Sequence, residues 1–305
     1  MPELPEVETI ACGVNERVRG DRIVQAWFSS YSQPFKTSPE RQVAGLQGRV
    51  VLGVHRTGKH IVVELSGADW MDSNPFDSAQ SGLRHKSKGV SRMGHPSSGL
   101  GEPEAQWVVH LGMTGRLLVT TAEGRVDAHT HARLSLASGR ELRFVDPRRF
   151  GRMEFRDLGR SEGFRAGGAE PLTIGAEEFA GLFRRRKLCI KAALLNQTLL
   201  SGVGNIYADE SLFRAGIRPG RRAGRLNRAE LERLRLSLLE VLRHAIRLGG
   251  SSVSDYVDAD GVKGFFQTEH CVYLRTGLPC LRCKTPIKRI LVAGRGTHYC
   301  PKCQD

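Results

Sequence analysis

The chain begins with apolar residues at helical spacing. Val7, Ile10, Val14 and Val18 recur every three or four positions, which is typical of an amphipathic helix. Pro5 precedes them at a place that the first turn of a helix tolerates. The sequence therefore predicts a helix whose N-terminus lies within the first few residues.

Short apolar runs then predict β-strands in the first half of the chain. They lie at residues 50–54, 60–65, 107–111, 132–136 and 141–145, within a β-rich stretch that starts near Arg22. Residues 68 to about 105 are rich in Ser, Gly, Pro, Asn, His and Lys and show little periodicity. Such a stretch predicts an insertion between two strands.

The second half of the chain changes to helical patterning. A glycine-rich linker at residues 158–170 precedes predicted helices at 177–183, 190–200, 204–215 and 227–248. These shifts divide the chain into segments 1–157, 171–262 and 263–305 around the linker.

Composition narrows the function. The 305 residues are enough for two domains, and a net charge of +14 with a pI near 9.9 indicates a folded protein that binds a polyanion. No apolar run approaches the roughly 18 residues of a membrane span, and no signal-peptide pattern is present. We expect a cytoplasmic, nucleoid-associated protein. Three scattered cysteines are interpreted as buried small hydrophobes: Cys12, Cys189 and Cys271.

The first residues also carry candidate chemistry. If Met1 is removed, Pro2 presents a secondary amine ahead of the predicted helix, whose positive end disfavours the ammonium form. Such an amine can condense with an aldehyde carbon to an iminium. Glu3 is within reach to transfer protons. The alternative is a Pro-x-x-Pro segment that only starts a helix.

Other positions suit nucleic acid without being specific for it. Lys59 follows Gly58 at the edge of a predicted strand, where most lysines are simply solvated. Met113 lies between glycines at a predicted turn. Arg148 and Phe150 share another turn, where a guanidinium can contact phosphate or a base and a ring can insert between bases. Arginine-phenylalanine turns also occur in ordinary ion-pair clusters.

A glycine-rich hinge at 201–205 places backbone amides and Asn205 at the start of a predicted helix, which predicts an anion site. The basic run 184–187 and Lys191 lie nearby. The alternative is a solvated basic face.

The strongest local pattern lies near the C-terminus. Two Cys-x-x-Cys pairs separated by sixteen residues have the spacing of a four-thiolate structural zinc site on a β-hairpin. These cysteines are Cys280, Cys283, Cys300 and Cys303. A redox or disulfide role is the alternative. Arg295 lies between the pairs with a glycine on each side, which allows close backbone approach to a ligand.

In their order along the chain, these stretches resemble formamidopyrimidine-DNA glycosylases. The resemblance rests on PELPEVET, HLGMTGRL, DPRRFG, GVGNIYADESLFRAGIRP, DGVKGFFQ and the four-cysteine finger, and it covers nearly all of the chain outside residues 68–105. It implies an α+β fold: an N-terminal β-sandwich with an N-terminal helix, then a helix-two-turn-helix domain and a β-hairpin zinc finger with one structural zinc.

The resemblance also implies a function and residue roles. The family excises oxidised purines from duplex DNA and cleaves the resulting abasic site. Pro2 matches the nucleophile, Glu3 the acid, Lys59 the residue of β-elimination, and Arg295 that of the second elimination and of phosphate contact. Met113, Arg148 and Phe150 match the residues that fill the gap left by a flipped base, with Arg148 opposite the orphaned cytosine. His129, Arg186 and Asn205 match contacts to the DNA backbone.

We thus expect a monomer that binds damaged double-stranded DNA and no membrane. Two alternatives remain: the sister family that removes oxidised pyrimidines, and a zinc-stabilised DNA-binding protein without catalysis. The sister family normally has glycine where Leu4 stands and lacks the DPRRFG turn.

Overall fold

The computed structural model describes residues 1–31, 34–67, 101–253 and 256–305. Most of the predicted insertion lies outside these residues. The predicted N-terminal helix is confirmed as α1 (Leu4–Val18), with Pro5 in its first turn. Its apolar stripe is buried, including Val7, Ile10 and Val14, because the helix packs against strands of the N-terminal half.

Two four-stranded antiparallel sheets form that half. The first has the order β1-β6-β7-β5 and the second the order β2-β3-β4-β8. The strands are β1 (Ile23–Phe28), β2 (Val51–Thr57), β3 (His60–Leu65), β4 (Ala105–His110), β5 (Arg116–Thr121), β6 (Thr130–Leu136), β7 (Arg140–Val145) and β8 (Arg152–Asp157). Side chains from both sheets and α1 make one continuous core, as in a β-sandwich.

One helix in this half was not predicted. Helix α2 (Pro39–Leu46) interrupts a stretch that was assigned to strands. Ser38 accepts a hydrogen bond from the Arg41 amide as N-cap, and Pro39 occupies the first turn. The usual start signals were therefore present, and the strand assignment was wrong because it followed apolar content alone.

The predicted insertion joins neighbouring strands. Leu65 of β3 is paired with Ala105 of β4, and the Glu104 amide donates to the Leu65 carbonyl at 2.9 Å. The chain therefore leaves and re-enters the sheet at adjacent positions. Ala105 itself belongs to β4 and is fully buried, so the insertion ends before it.

The second half is helical and has its own core. It contains α3 (Ala176–Phe183), α4 (Ile190–Leu195), α5 (Asn205–Ala215) and α6 (Arg228–Arg247). Helix α4 is shorter than predicted. Asn196 ends it by accepting hydrogen bonds from the amide and hydroxyl of Thr198 at 2.9 and 2.8 Å, a local alternative to the helix.

A hairpin of β9 (Lys288–Val292) and β10 (Arg295–Tyr299) closes the chain, with a small core that contains Cys280 and Cys300. The start of α1 lies between the N-terminal half and the helical half. Leu4 belongs to the helical core, and its amide donates to the Gly202 carbonyl at 3.0 Å. The first residues of the chain are thus fixed where the halves meet.

The scattered cysteines are not the buried hydrophobes that were expected. Cys12 is exposed, and Cys189 and Cys271 are partly exposed. Each lies at an element boundary or on an outer helix face, where local sequence does not report burial. Among the described helices, none combines the length and apolarity that crossing a bilayer requires.

Candidate active site

A cavity of about 480 Å³ opens where the two halves and the C-terminal hairpin meet. Six of the residues singled out from the sequence line it: Pro2, Glu3, Lys59, Met113, Asn205 and Arg295. They come from the residues that lead into α1, from two turns between strands, from the start of α5 and from the hairpin. The structure thus brings together the proposed nucleophile, acid and elimination residues, which are up to 293 positions apart in the sequence.

Glu3 is the N-cap of α1 and is only 5% exposed. Its carboxylate accepts hydrogen bonds from the Ile206 amide at 3.2 Å and the Tyr207 amide at 3.5 Å, at the start of α5. The anion site predicted at this helix start is therefore filled by the chain's own Glu3. Pro2 and Glu3 are both buried.

Glycines allow this close approach. A Cβ at Gly204 would lie 2.1 Å from Cδ of Glu3, and one at Gly202 would lie 2.9 Å from Cβ of Leu4. Gly202 also has a φ of +88°, which side-chain-bearing residues rarely adopt. The glycines of the hinge are required because the start of α1 packs directly on their backbone.

A second carboxylate, Glu6, lies behind the first. It accepts hydrogen bonds from the Glu3 amide at 2.8 Å, from the Ser251 amide at 2.7 Å and from the Tyr207 hydroxyl. It lines the cavity and is 2% exposed. Glu6 therefore ties the start of α1 to α5 and to the loop after α6.

Burial changes the ionisation of the cavity groups. It raises the pKa of the Glu3 carboxyl to about 7, although the positive charge of Lys59 acts in the opposite direction. Burial also lowers the pKa of Lys59, against the attraction of Glu3 and Glu6. Glu3 can thus carry a proton near neutral pH, as a general acid must.

Lys59 lies in the tight turn between β2 and β3, and the neighbouring ion pairs fix this turn. The Arg56 guanidinium donates to Glu8 of α1 at 2.6 Å and to Glu170 at 2.8 and 3.0 Å. It also donates to the Gly58 carbonyl at 3.2 Å. Arg56 thereby holds the lysine turn against α1 and against the linker that precedes the helical half.

Met113, which lines the cavity, and the neighbouring turn that carries Arg148 and Phe150 form a second group. Asp146 is fully buried and accepts hydrogen bonds from Thr114 Oγ1 and from the Gly151 amide, both at 2.7 Å. It thereby joins the two loops. Met113 and Phe150 nevertheless remain 42% and 49% exposed, and the Arg148 guanidinium lies over the Phe150 ring, 4.9 Å from its centroid.

Two further predicted DNA contacts lie outside the cavity. His129 is exposed, and its carbonyl accepts a hydrogen bond from the Asp146 amide at 3.0 Å, so it borders the turn of Arg148. Arg186 is exposed in the loop between α3 and α4. Lys191 lies near the anion site as expected, since it and Asn205 donate to the same Gly296 carbonyl, but it is fully buried and paired with Asp209 rather than part of a solvated basic face.

The four cysteines meet as expected for a metal site. The sulfur atoms of Cys280, Cys283, Cys300 and Cys303 all lie within 4.8 Å of one another. Four thiols at this separation, in two Cys-x-x-Cys pairs that flank the β9–β10 hairpin, fit a tetrahedral zinc ion. They would hold one structural zinc with no open coordination position, so the metal supplies folding of the finger rather than chemistry.

Several cavity residues were not found from the sequence, namely Glu6, Ser251, Tyr256 and Tyr273. Glu6 looked like an ordinary first-turn acid that complements a helix dipole. The other three follow α6 in segments without periodicity, and only the tertiary fold brings them to α1. The DGVKGFFQ motif close to them was the one available signal.

With the geometry in place, comparison with known proteins first defines a class. Residues 1–153 match the family model of the formamidopyrimidine-DNA glycosylase N-terminal domain. Residues 168–257 match the helix-two-turn-helix domain of these enzymes. Residues 277–305 match a zinc finger that is found in these enzymes and in isoleucyl-tRNA synthetases. The class is thus a two-domain DNA glycosylase with a C-terminal finger.

Individual relatives agree along the whole chain. The chain is 42% identical over 304 residues to the formamidopyrimidine-DNA glycosylase of Solibacter usitatus, covering 100% of this chain and 99% of that protein. It superposes with a TM-score of 0.79 on the wild-type Lactococcus lactis enzyme in complex with DNA that contains N7-benzyl-Fapy-dG, at 30% identity and 100% coverage of both chains. The Thermus thermophilus enzyme gives 0.77 at 38% identity, covering 99% of this chain and 98% of that one. The chain belongs to the formamidopyrimidine-DNA glycosylase family.

Proposed function

We propose that this protein is a bifunctional DNA glycosylase and abasic-site lyase that removes 8-oxoguanine and formamidopyrimidines from duplex DNA. One observation carries the proposal: Pro2, Glu3 and Lys59 line one cavity. An amine, a carboxyl with a pKa of about 7 and a partly buried lysine are the groups that imine-based base removal requires.

The first step uses Pro2 after removal of Met1. Its neutral amine attacks C1′ of the damaged nucleotide, and the base leaves with the electron pair of the glycosidic bond and a proton from Glu3. Glu3 then takes the proton of the new ammonium and gives it to the sugar ring oxygen as the ring opens. The product is a C1′ iminium on Pro2.

Strand cleavage follows from the iminium. It withdraws electrons and acidifies the proton on C2′, so a base can remove that proton while the 3′ phosphate leaves. The lowered pKa of Lys59 makes its amine available for this transfer. Arg295 lines the same cavity and assists the second elimination, in which the 5′ phosphate leaves, before water releases Pro2.

The damaged base must first leave the helix, at a cost of a few kcal/mol for unstacking. Met113, Arg148 and Phe150 are exposed on loops whose backbones Asp146 joins. We assign to them the gap that the flipped nucleotide leaves, with Arg148 facing the orphaned cytosine.

DNA binding uses the basic surface, including Arg186 and His129, together with the amide side chain of Asn205, and binding should weaken with salt. The solved complex of the Lactococcus lactis relative with lesion-bearing DNA supports this partner. The finger, once zinc is bound, presents Arg295 to the duplex. The division of labour between segments 1–157, 171–262 and 263–305 is part of this proposal.

Borohydride reduction during incubation with a duplex carrying 8-oxoguanine opposite cytosine tests the mechanism. We expect a covalent protein–DNA adduct that peptide mass mapping places on the Pro2 peptide, and its loss in Pro2→Gly, which should still bind DNA. An adduct on Lys59, or one formed equally well with Met1 retained, would contradict the role of Pro2. The absence of any adduct would favour a DNA-binding protein without catalysis.

Excision of 8-oxoguanine should be compared with that of thymine glycol in otherwise identical duplexes. We expect the purine lesion to be removed faster. A preference for thymine glycol would instead support the pyrimidine-specific alternative.

A further inference from the structure

A buried ion pair links the helical half to the hairpin. Lys191 of α4 and Asp209 of α5 are both fully buried, and Nζ of the lysine lies 2.7 Å from Oδ1 of the aspartate. Taking two charges out of water is costly, and hydrophobic residues of similar volume often stabilise a core at least as well. The pair therefore requires an explanation beyond stability.

The lysine also donates out of the helical core into β10. Nζ lies 2.7 Å from Oγ1 of Thr297 and 3.2 Å from the carbonyl oxygen of Gly296. An ammonium group has only donors, so the Thr297 hydroxyl must accept from it. That leaves the hydroxyl proton free to donate to the Arg295 carbonyl oxygen, 3.0 Å away.

Asp209 and the side-chain amide of Asn205 hold the same segment of β10. Oδ2 of Asp209 accepts a hydrogen bond from the His298 amide at 2.8 Å. Nδ2 of Asn205 donates to the Gly296 carbonyl at 3.1 Å. Helices α4 and α5 thus fix the backbone of the residues that directly follow Arg295.

Arg295 depends on that backbone for its location. Its side chain is exposed, and within the described residues its guanidinium makes no hydrogen bond. Its partner in the hairpin is Val292 of β9, which is itself only partly buried. The carbonyl of Arg295, held through Thr297, is therefore an anchor close to the functional group.

We infer that Lys191, Asp209 and Thr297 are positioning residues that fix Arg295 over the cavity through a hydrogen-bond chain to its own backbone carbonyl. The inference rests on the proposed function of Arg295 in the second elimination. It goes beyond that proposal because it assigns a role to three buried residues that touch neither DNA nor the reacting atoms.

The experiment uses the zinc-loaded full-length protein and a duplex with a preformed abasic site. Thr297→Val is the main variant because it removes one hydroxyl at nearly constant volume, and Lys191→Met is the stronger one. Thr37→Val is the matched control: its hydroxyl also donates to a backbone carbonyl, that of Phe155 at 3.3 Å, in the N-terminal half. Arg295→Ala gives the effect of losing the guanidinium itself.

Two readouts are taken: single-turnover rates of the first and second eliminations, resolved as separate products on a gel, and hydrogen exchange of residues 288–299. In Thr297→Val we expect the second elimination to slow by roughly tenfold, the range of a lost hydrogen bond to a charged group, with the first nearly unchanged. Exchange in the hairpin should rise while zinc content stays constant. Thr37→Val should match the wild type.

The possible outcomes distinguish the inference about Lys191, Asp209 and Thr297 from the role proposed for Arg295. If Arg295→Ala slows the second elimination but Thr297→Val and Lys191→Met change neither this rate nor exchange, the inference is wrong. An equal loss of both eliminations, or a loss of zinc, in Thr297→Val would also overturn it, since that indicates a general structural role. If Arg295→Ala leaves the second elimination intact, the role proposed for Arg295 fails, and increased exchange in Thr297→Val would support the anchor alone.

Discussion

The start of α1 and the turn that carries Arg148 hold their functional groups in opposite ways. Glu3 and Glu6 are buried, and amides or hydroxyls from α5 and from the loop after α6 donate to their carboxylates. Arg148 and Phe150 are exposed and touch mainly each other, while Asp146 fixes only the backbone beneath them.

The difference fits the roles that we propose for these groups. A general acid needs a shifted pKa, which requires burial and close contacts. A side chain that fills a gap in DNA must be free to enter the duplex, so only its backbone can be fixed in advance. Changes at the start of α1 should therefore affect chemistry and stability together, whereas changes at the exposed turn should affect DNA recognition alone.

Glu3→Gln should have the largest effect. The amide keeps the shape and can still accept from the Ile206 amide, but it cannot transfer a proton. We expect base excision to fall by about 10²- to 10⁴-fold, the range for loss of a general acid, measured in single turnovers with 8-oxoguanine. Cleavage of a preformed abasic site should fall much less, because its glycosidic bond is already broken. Equal losses on the two substrates would contradict the acid role.

The pH dependence should come next in size. Burial raises the pKa of Glu3 to about 7, and the acid acts in its protonated form. At low substrate concentration, which reports on the free enzyme, the contribution of the acid to excision should fall by about tenfold per pH unit above this value, whereas protonation of the Pro2 amine should slow excision at low pH, so that the profile is bell-shaped. Rates measured from pH 5.5 to 9 check this, and cleavage of abasic sites serves as the comparison. A profile that rises above pH 7 would remove Glu3 as the acid.

The sequence predicted the helix and the turns at these two sites better than it predicted the burial and the partners of their side chains. Periodicity located α1, and the glycine-rich hinge indicated a helix start with free amides. Neither pattern could show that Glu3, some 200 residues away, is the anion at the start of α5. Local patterns carry no information on which distant segment will pack there.

Burial of charged residues was the least predictable property. Lys191 follows the basic run 184–187 and was grouped with it, yet it is buried and forms an ion pair with Asp209. Glu6 was not singled out from the sequence, yet it joins α1 to Tyr207 and Ser251. A charged residue looks the same in sequence whether its partner is water or a buried side chain, so only the tertiary contacts distinguish the two.

Gly204→Ala tests the tight packing at the start of α1. The added Cβ would lie 2.1 Å from Cδ of Glu3, so the carboxyl or the hinge must move. We expect a loss of about 1–3 kcal/mol in the free energy of unfolding, as for other overpacked sites, together with slower excision. Denaturant unfolding and single-turnover excision measure the two effects. Gly220→Ala is the matched control, since a Cβ there meets nothing within 4 Å; equal behaviour of both variants would contradict the packing argument.

Arg148→Ala tests the other side of the comparison. The residue is exposed, and within the described part of the chain its guanidinium contacts only the Phe150 ring, so the free energy of unfolding should change by less than about 0.5 kcal/mol, as for most surface substitutions. Discrimination between cytosine and the other bases opposite 8-oxoguanine should instead relax by about 1–3 kcal/mol, the value of one specific base contact. Excision rates on the four duplexes measure this. Arg152→Ala is the comparison, since Arg152 is also exposed but donates to the carbonyls of Arg149 and Gly151, so its loss loosens the turn without removing Arg148. If Arg148→Ala keeps the preference for cytosine while Arg152→Ala relaxes it, the contact to the orphaned base belongs to another residue. If Arg148→Ala lowers stability as much as Gly204→Ala does, the exposed turn is part of the packed structure and the contrast with the start of α1 does not hold.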